Sequence, residues 1–141
     1  MTTISDLMTR EVSVVQLSDA LQTAARRLRD LNIGALPVCD GETVVGMVTD
    51  RDIAVRGVAA GLDPAEALVS DVMTDEVHAC APSDRVEAAL QQMGDAQVRR
   101  LLVLDADRRI VGIVSLGDLA TRQSVPTDRA LREISEPGPA A

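Results

Sequence analysis

The feature that most constrains this chain is an internal duplication. The stretch Gly46–Ile53 (GMVTDRDI) returns as Gly112–Leu119 (GIVSLGDL), 66 residues further along the chain. Matched residues upstream, such as Met8 and Met73, are 65 residues apart, so the second copy contains one inserted residue. Repetition at a fixed period indicates that one supersecondary unit is used twice. The sequence therefore predicts two units with the same topology.

Each copy carries the pattern of a β-α-β-β-α unit. Short apolar runs rich in β-branched residues alternate with amphipathic segments of helical period and with turn residues. In the first copy we expect strands at 12–15, 35–39 and 43–49 and helices at 18–32 and 50–60. In the second copy we expect strands at 77–80, 100–104 and 109–114 and helices at 83–94 and 115–122. The predicted fold class is α/β, of the α+β kind, built from tandem repeats.

The expected domain boundaries follow the duplication. They give a first repeat at 1–62, a connector at 63–68 and a second repeat at 69–122. After residue 122 the apolar pattern stops, and Pro126, Pro137 and Pro139 disfavour regular structure. We therefore expect the tail at 123–141 to be mostly irregular, with at most a turn of helix near 128–134.

Composition excludes several classes of function. The net charge is −8 and all 14 basic residues are Arg, so neither a basic nucleic-acid face nor a lysine-based active site is expected. The chain has no aromatic residue, so bases cannot stack on aromatic rings. One His and two isolated Cys residues do not form a metal-binding pattern. Because no signal peptide or membrane-spanning apolar run is visible, we expect a cytoplasmic protein that contacts no membrane.

Each copy contains a hydroxyl residue followed three positions later by a carboxylate, where a strand should run into a helix. These pairs are Thr49/Asp52 and Ser115/Asp118. The spacing is that of a capping box, in which the two side chains satisfy backbone N–H groups at the start of a helix. Such a helix end also suits a phosphate, and a carboxylate can accept hydrogen bonds from ribose hydroxyls. The residues alone leave both interpretations open, and the two can hold together.

Two tetrapeptides open the copies, Asp6-Leu7-Met8-Thr9 and Asp71-Val72-Met73-Thr74. Together with the Gly-x-x-(Thr/Ser)-x-x-Asp stretches, they resemble the CBS domain, named after cystathionine β-synthase, over residues 4–122. The segment at 47–64 (MVTDRDIAVRGVAAGLDP) is further similar to stand-alone CBS-pair proteins of the bacterial hypoxic-response type, which have no attached catalytic domain. The resemblance therefore implies a CBS pair, also called a Bateman module, that is not an enzyme.

The resemblance to this family implies a sensor that binds AMP, ADP or ATP in two clefts. The resemblance implies that cleft A uses Met47, Thr49, Asp52, Val77, His78, Val98, Arg99 and Arg100. It implies that cleft B uses Ile113, Ser115, Asp118, Val12, Ser13, Ile33, Gly34 and Ala35. Arg100 would contact phosphate in cleft A, where cleft B has Ala35, so the two clefts should differ. The nucleotide would be a regulatory ligand, and no cofactor is required.

The leading hypothesis is thus a nucleotide-binding energy or stress sensor that works as a homodimer through its CBS helices. The alternative is a dimerisation or partner-docking module with empty clefts, which would serve an unidentified protein partner. An enzyme is disfavoured, because the usual nucleophile, base and metal sets cannot be assembled from one His and no Lys. Binding of adenine nucleotides would separate the first two hypotheses.

Overall fold

The computed structural model describes residues 2–122, and the tail at 123–141, with its possible helical turn near 128–134, lies outside the described residues. The chain divides into two compact units. Unit I is Ser13–Val77, and unit II consists of Met1–Val12 together with the chain from His78 onward. Both units show one topology, as the duplication predicts.

Short helices and strands follow one another in the same order in both copies. In chain order the elements are α1 (Ile4–Leu7), β1 (Val15–Gln16), α2 (Leu21–Leu31), β2 (Ala35–Asp40), β3 (Thr43–Thr49), α3 (Asp50–Asp52), a π-helix (Ile53–Val58), a 3₁₀-helix (Val69–Asp71), β4 (Ala79–Cys80), α4 (Val86–Ala96), β5 (Arg100–Leu104), β6 (Ile110–Ser115) and α5 (Leu116–Arg122).

Each unit contains a mixed three-stranded sheet. In unit I, β1 runs parallel to β2, and β2 runs antiparallel to β3. In unit II, β4, β5 and β6 are arranged in the same way. The helices α2 and α4 are the crossovers that a parallel strand pair requires. The predicted β-α-β-β-α topology and the fold class are therefore confirmed, although β1 and β4 are only two residues long and begin later than predicted.

The apolar residues of each unit meet in a core of their own. In α2 the buried residues Leu21, Ala24 and Leu28 recur at helical spacing and belong to the core of unit I. In α4 the stripe from Val86 to Met93 does the same in unit II. Full burial of one such large apolar side chain contributes about 1.5–3 kcal/mol, so these stripes fix which side of each helix faces its sheet.

Both crossover helices begin three residues later than the sequence predicts. The carboxylate of Asp19 accepts a hydrogen bond from the Gln16 N–H at 2.9 Å, and that of Asp84 accepts one from the Ala81 N–H at 2.9 Å. Each bond closes a turn ahead of the helix, because Asp readily bonds to nearby backbone. The helices therefore start after these turns, at residues 21 and 86.

The helix predicted at 50–60 is not a regular α-helix. After α3 the chain continues as the π-helix, whose wider turn is seen in the hydrogen bond from the Ala59 N–H to the Ala54 carbonyl at 2.9 Å. Gly57 is buried in this turn, and a Cβ there would lie 2.8 Å from Cδ2 of Leu21. The glycine therefore permits a close approach of the π-helix to α2.

The segment that precedes the first strand of each copy packs in the compact unit of the other copy. Thr9 exchanges two backbone hydrogen bonds with Ile113 in unit II, both 2.9 Å long, and Thr74 exchanges two with Met47 in unit I, at 2.8 and 2.9 Å. The compact units consequently divide at 12/13 and 77/78. The boundaries near 62 and 69 stay a prediction about the duplicated segments.

Candidate functional site

The hydroxyl–carboxylate pair of unit I lies where β3 ends and α3 begins. Oγ1 of Thr49 accepts a hydrogen bond from the Asp52 N–H at 3.0 Å, and Oδ2 of Asp52 accepts one from the Thr49 N–H at 3.0 Å. The predicted capping box is therefore confirmed in unit I. The box uses Oδ2, so Oδ1 of this half-buried carboxylate is the oxygen that could accept a hydrogen bond from a ligand.

Unit II repeats this arrangement between β6 and α5. Oγ of Ser115 accepts a hydrogen bond from the Asp118 N–H at 3.0 Å, and Oδ2 of Asp118 accepts one from the Ser115 N–H at 3.3 Å. Both side chains are half-buried. The duplicated motif thus builds the same local structure twice, and the capping interpretation holds in both copies.

The turn that leads into the second strand of each copy is tied to this helix end. The Asp50 N–H donates to the carbonyl of Gly34 at 3.0 Å, and the Leu116 N–H donates to the carbonyl of Arg99 at 2.8 Å. Candidate residues from two places in the sequence therefore lie beside one another within a single unit. We call each such group a half-site. Half-site I contains Ile33, Gly34, Ala35, Thr49 and Asp52, and half-site II contains Val98, Arg99, Arg100, Ser115 and Asp118.

The register of the sheets gives the neighbours in each half-site a common face. Ala35 is directly opposite Thr49, and Arg100 is directly opposite Ser115. Directly opposed residues of antiparallel strands point to the same face, with Cβ atoms about 4.5–5.5 Å apart. Arg100 and the Ser115 hydroxyl can therefore reach one small anion such as a phosphate group. Half-site I has the uncharged Ala35 at this position.

The remaining predicted site residues lie at various places in the two units. Met47 and Ile113 are half-buried on β3 and β6, and the backbone carbonyl of His78 accepts a hydrogen bond from the Leu102 N–H at 3.0 Å. Val12 and His78 belong to unit II, whereas Ser13 and Val77 belong to unit I. Because cleft A and cleft B each combine residues of both units, their composition stays a prediction.

Sequence reasoning missed the neighbours within each half-site. The contact between the Leu116 N–H and the Arg99 carbonyl is made by backbone atoms, so no side-chain type indicates it. The pairing of Arg100 with Ser115 could have been found from the hairpin, because turn geometry sets the register of a hairpin. The register shift between Val103 and Leu104 would have made that inference ambiguous by one residue.

The two thiols do not resemble nucleophiles. Cys39 and Cys80 are buried and free, and burial raises the pKa of both thiols. For Cys80 burial, with a smaller contribution from the nearby carboxylate of Asp84, raises the pKa to about 11. A reactive cysteine has a lowered pKa instead, so these residues act as small apolar side chains of the two sheets.

The residues that the structure describes contain neither a metal-ligand cluster nor a membrane span. Over 2–122, no three His, Cys, Asp or Glu side chains come together in a group that could hold a metal ion. Over the same range, every helix is too short or too polar to cross a bilayer.

A tandem of β-α-β-β-α units, each with a capped hydroxyl–carboxylate pair at the end of its third strand, defines a two-repeat module of a known class. Residues 4–57 and 69–124 match the family model of the CBS domain. The chain therefore belongs to the CBS domain family. The resemblance inferred from the sequence is confirmed for both copies.

Among curated proteins, the chain is similar to small CBS proteins. It is 42% identical over 123 residues to the CBS domain-containing protein YhcV of Bacillus subtilis, covering 87% of this chain and 86% of that protein. It is 40% identical over 121 residues to hypoxic response protein 1 of Mycobacterium tuberculosis, covering 85% of this chain and 84% of that protein. The predicted similarity to stand-alone CBS pairs of the hypoxic-response type is confirmed.

Solved structures extend the comparison to proteins with bound ligands. The hypoxic response protein I structure, described with two coordinated zinc ions, has a TM-score of 0.75 and 39% identity, and covers 86% of this chain and 99% of that chain. CBSX2 in complex with AMP has a TM-score of 0.71 and 28% identity, with 85% and 94% covered. The CBS pair of MJ0100, in complex with 5′-methylthioadenosine and S-adenosylmethionine, has a TM-score of 0.68 and 26% identity, with 86% and 94% covered.

Protein zinc sites use three or four converging Cys, His or carboxylate ligands, and the described residues bring no such set together.

Proposed function

We propose that this chain is a non-enzymatic regulatory CBS pair that binds an adenosine-containing ligand and reports its level. The observation that carries the proposal is the duplicated helix end, at which a hydroxyl and a carboxylate cap the first turn in both units. Two CBS proteins of the same fold are in complex with AMP, or with 5′-methylthioadenosine and S-adenosylmethionine. Because adenosine or its thio analogue is common to these ligands, we infer that the half-sites recognise this part.

Recognition of the ribose would rest on the capping carboxylates. In half-site I, Oδ2 of Asp52 is held by the Thr49 N–H, so the carboxylate has a fixed orientation before a ligand binds. Its Oδ1 can then accept a hydrogen bond from a ribose hydroxyl without the cost of ordering a mobile side chain. Ile33 and Val98 are half-buried against their cores, so each can cover a base with its remaining surface.

Recognition of phosphate would rest on half-site II. Arg100 and Ser115 share one face of the sheet, and Arg99 precedes them at the end of the same turn. Hydrogen bonds to a charged group contribute about 1.5–3 kcal/mol each, and a guanidinium donates two in parallel to phosphate. The family resemblance implies that Arg100 contacts the same nucleotide as Asp52, and this stays a prediction. The register of the sheet favours a contact of Arg100 with a nucleotide bound at Ser115 instead.

Calorimetric titration with AMP, ADP, ATP, S-adenosylmethionine and adenosine tests this function. The wild-type protein should bind at least one of them, and the ligand at 100 times its Kd should stabilise the fold by about 2.7 kcal/mol. Asp52→Asn or Asp118→Asn should weaken binding at its half-site about tenfold or more. Asp19→Asn is the matched control, because Asp19 makes the same kind of capping bond outside both half-sites. Absence of binding at millimolar concentrations of all five compounds would refute the proposal.

The alternative function, a docking module with empty clefts, is favoured by one observation on unit I. Leu31, Val55, Val58 and Leu68 are large apolar residues that are 39–65% exposed. Exposed apolar side chains on helices are typical of interaction surfaces when they form a continuous patch. Failure of all five ligands, together with self-association or capture of a partner, would establish this alternative instead.

We also propose that the chain forms a homodimer through its CBS helices and that it has no catalytic activity. Light scattering at micromolar concentration should report twice the mass of one chain. Purified protein should not release phosphate from ATP, and turnover abolished by a half-site substitution would contradict the non-enzymatic proposal. A cytoplasmic location stays a prediction.

A further inference from the structure

The first strand of each unit joins its sheet differently in the two copies. In unit II the ladder between β4 and β5 begins at the pair Ala79 and Leu102, and the Leu102 N–H donates to the carbonyl of His78 at 3.0 Å. The residues of unit I that correspond to His78 and Leu102, 65 positions earlier, are Ser13 and Pro37. Because proline has no N–H, the carbonyl of Ser13 lacks this partner in the sheet.

The ladder of unit I accordingly begins one residue later. Its first pair is Val15 and Val38, one position beyond the place that corresponds to the first pair of unit II. Ser13 is exposed, so water can bind its carbonyl, and a donor group of a ligand can take the place of that water. Unit I therefore has a backbone acceptor that the sheet of unit II uses for itself.

A side chain of the crossover helix holds this segment in both units. Arg27 of α2 donates to the carbonyl of Val14, and Gln92 of α4 donates to the carbonyl of Ala79 at 2.7 Å. The two donors are 65 residues apart, and so are the two acceptors. The residue after Ser13 is thus held in place although the neighbouring sheet bond is missing. A ligand that bonds to the Ser13 carbonyl would not have to order this segment first.

The Ser13 carbonyl lies at the end of the sheet where half-site I begins. Strand β1 runs parallel to β2, so the residues that precede β1 lie at the end of the sheet where Ala35 starts β2. The exocyclic amino group of adenine is a hydrogen-bond donor, which an unsubstituted purine lacks. A carbonyl without a partner in the sheet is the matching acceptor for this group.

We propose that unit I selects bases with an exocyclic amino group through the carbonyl of Ser13, and that Pro37 is the residue that determines this selectivity. The inference rests on the proposed binding of adenosine-containing ligands and adds a difference between the two copies. In unit II the Leu102 N–H already donates to the carbonyl of His78. This copy should therefore accept a purine nucleoside with or without the amino group.

Replacement of Pro37 by alanine tests the selectivity, because alanine supplies the missing N–H without adding bulk. The probes are adenosine and purine riboside, which differ only in the amino group, and calorimetric titration measures both. In the wild-type protein one site should prefer adenosine about tenfold, as expected for one hydrogen bond, and the other should bind both nucleosides alike. Pro37→Ala should abolish the preference by weakening adenosine alone. Equal weakening of both nucleosides would indicate a structural defect and overturn the proposal.

The converse variant is Leu102→Pro, which removes the N–H from the carbonyl of His78. The second site should then acquire the preference for adenosine. Leu102→Ala keeps the N–H and is the matched control, with the preferences of the wild-type protein. Far-UV circular dichroism verifies folding, and Pro37→Ala decides alone if Leu102→Pro does not fold.

Three results would overturn the selectivity and leave adenosine binding established. They are equal affinity for adenosine and purine riboside at every occupied site of the wild-type protein, a preference that survives Pro37→Ala, and a folded Leu102→Pro protein without a second preference. Absence of adenosine binding in the wild-type protein would instead overturn the proposed function, and the selectivity with it.

Discussion

Replacement of Gly46 by alanine should destabilise the fold by about 2–4 kcal/mol. Gly46 is a buried residue of β3, and a Cβ built on it would overlap the carbonyl oxygen of Thr74. The obstacle is backbone, which cannot move aside as a side chain can. The segment around Thr74 would therefore have to shift away from β3.

The magnitude follows from what this shift disrupts. The next residue of β3, Met47, exchanges two hydrogen bonds with Thr74, at 2.8 and 2.9 Å. Each hydrogen bond contributes about 0.5–1.5 kcal/mol net, and overpacking a buried site costs about 1–3 kcal/mol. The lower entropy of the unfolded chain with alanine offsets about 0.4–1 kcal/mol of this. The combined range is about 1–6 kcal/mol, and its centre gives the expected loss of about 2–4 kcal/mol.

Gly112 is the equivalent residue of the second copy and provides a matched comparison. A Cβ there would lie 2.6 Å from Sδ of Met8 and 2.9 Å from the carbonyl oxygen of Thr9. The closest atom thus belongs to a flexible thioether side chain that can change rotamer. Gly112→Ala should therefore cost about 1–2 kcal/mol, less than the same substitution at Gly46.

Urea unfolding followed by far-UV circular dichroism measures both losses, since the chain has no Trp or Tyr for fluorescence. Gly117→Ala is the control: it lies in α5, and the nearest atom to a Cβ there is Oγ of Ser115 at 3.8 Å. This variant should be stabilised by about 0.5–1 kcal/mol, because alanine favours helix over glycine. If Gly112→Ala proves more damaging than Gly46→Ala, the argument from backbone against side-chain obstacles is wrong.

Three further predictions concern folding and binding. First, burial raises the pKa of Cys80 in the folded state to about 11. The contribution of this neutral thiol to the free energy of unfolding should therefore be fully present below about pH 9 and be lost between about pH 9 and 11, where no Lys or Tyr titrates in this chain. Cys80→Ala should reduce this loss in unfolding experiments at stepped pH. Secondly, the fragment 13–77 should unfold cooperatively on heating, whereas the fragment 1–62 should not. The shorter fragment lacks the core residues Val69 and Val72 and also Thr74, which bridges to Met47 of β3. Equal melting curves by circular dichroism would contradict this. Thirdly, in a double-mutant cycle for ATP binding, Arg100→Ala should couple to Asp118→Ala by about 1 kcal/mol, whereas coupling to the carboxylate of half-site I would support the clefts implied by the resemblance.

Local signals predicted the topology and the caps well. The 65- and 66-residue offsets predicted two units with the same topology. The Thr49-x-x-Asp52 spacing predicted the reciprocal side-chain to backbone hydrogen bonds of a capping box. Of the misplaced features, the late starts of α2 and α4 depend on local bonds of Asp19 and Asp84, whereas the π-helix depends on longer-range packing. The π-helix accompanies the close approach of Gly57 to Leu21, more than thirty positions away. No local window of the sequence contains both residues, so periodicity alone could not predict this feature.

The difference between the half-sites bears on what the protein can distinguish. Both present the same hydroxyl–carboxylate cap, so a ribose should be accepted with similar strength by either. Half-site II adds the exposed Arg99 and Arg100, where half-site I has Gly34 and Ala35. A phosphate therefore gains a charge-assisted contact at half-site II alone, whereas a cationic ligand such as S-adenosylmethionine is repelled there and not at half-site I. If both half-sites recognise adenosine as proposed, their difference in charge would let one chain hold an anionic and a cationic adenosine ligand at separate half-sites. A sensor of this kind would respond to the relative amounts of the two ligands rather than to either one alone.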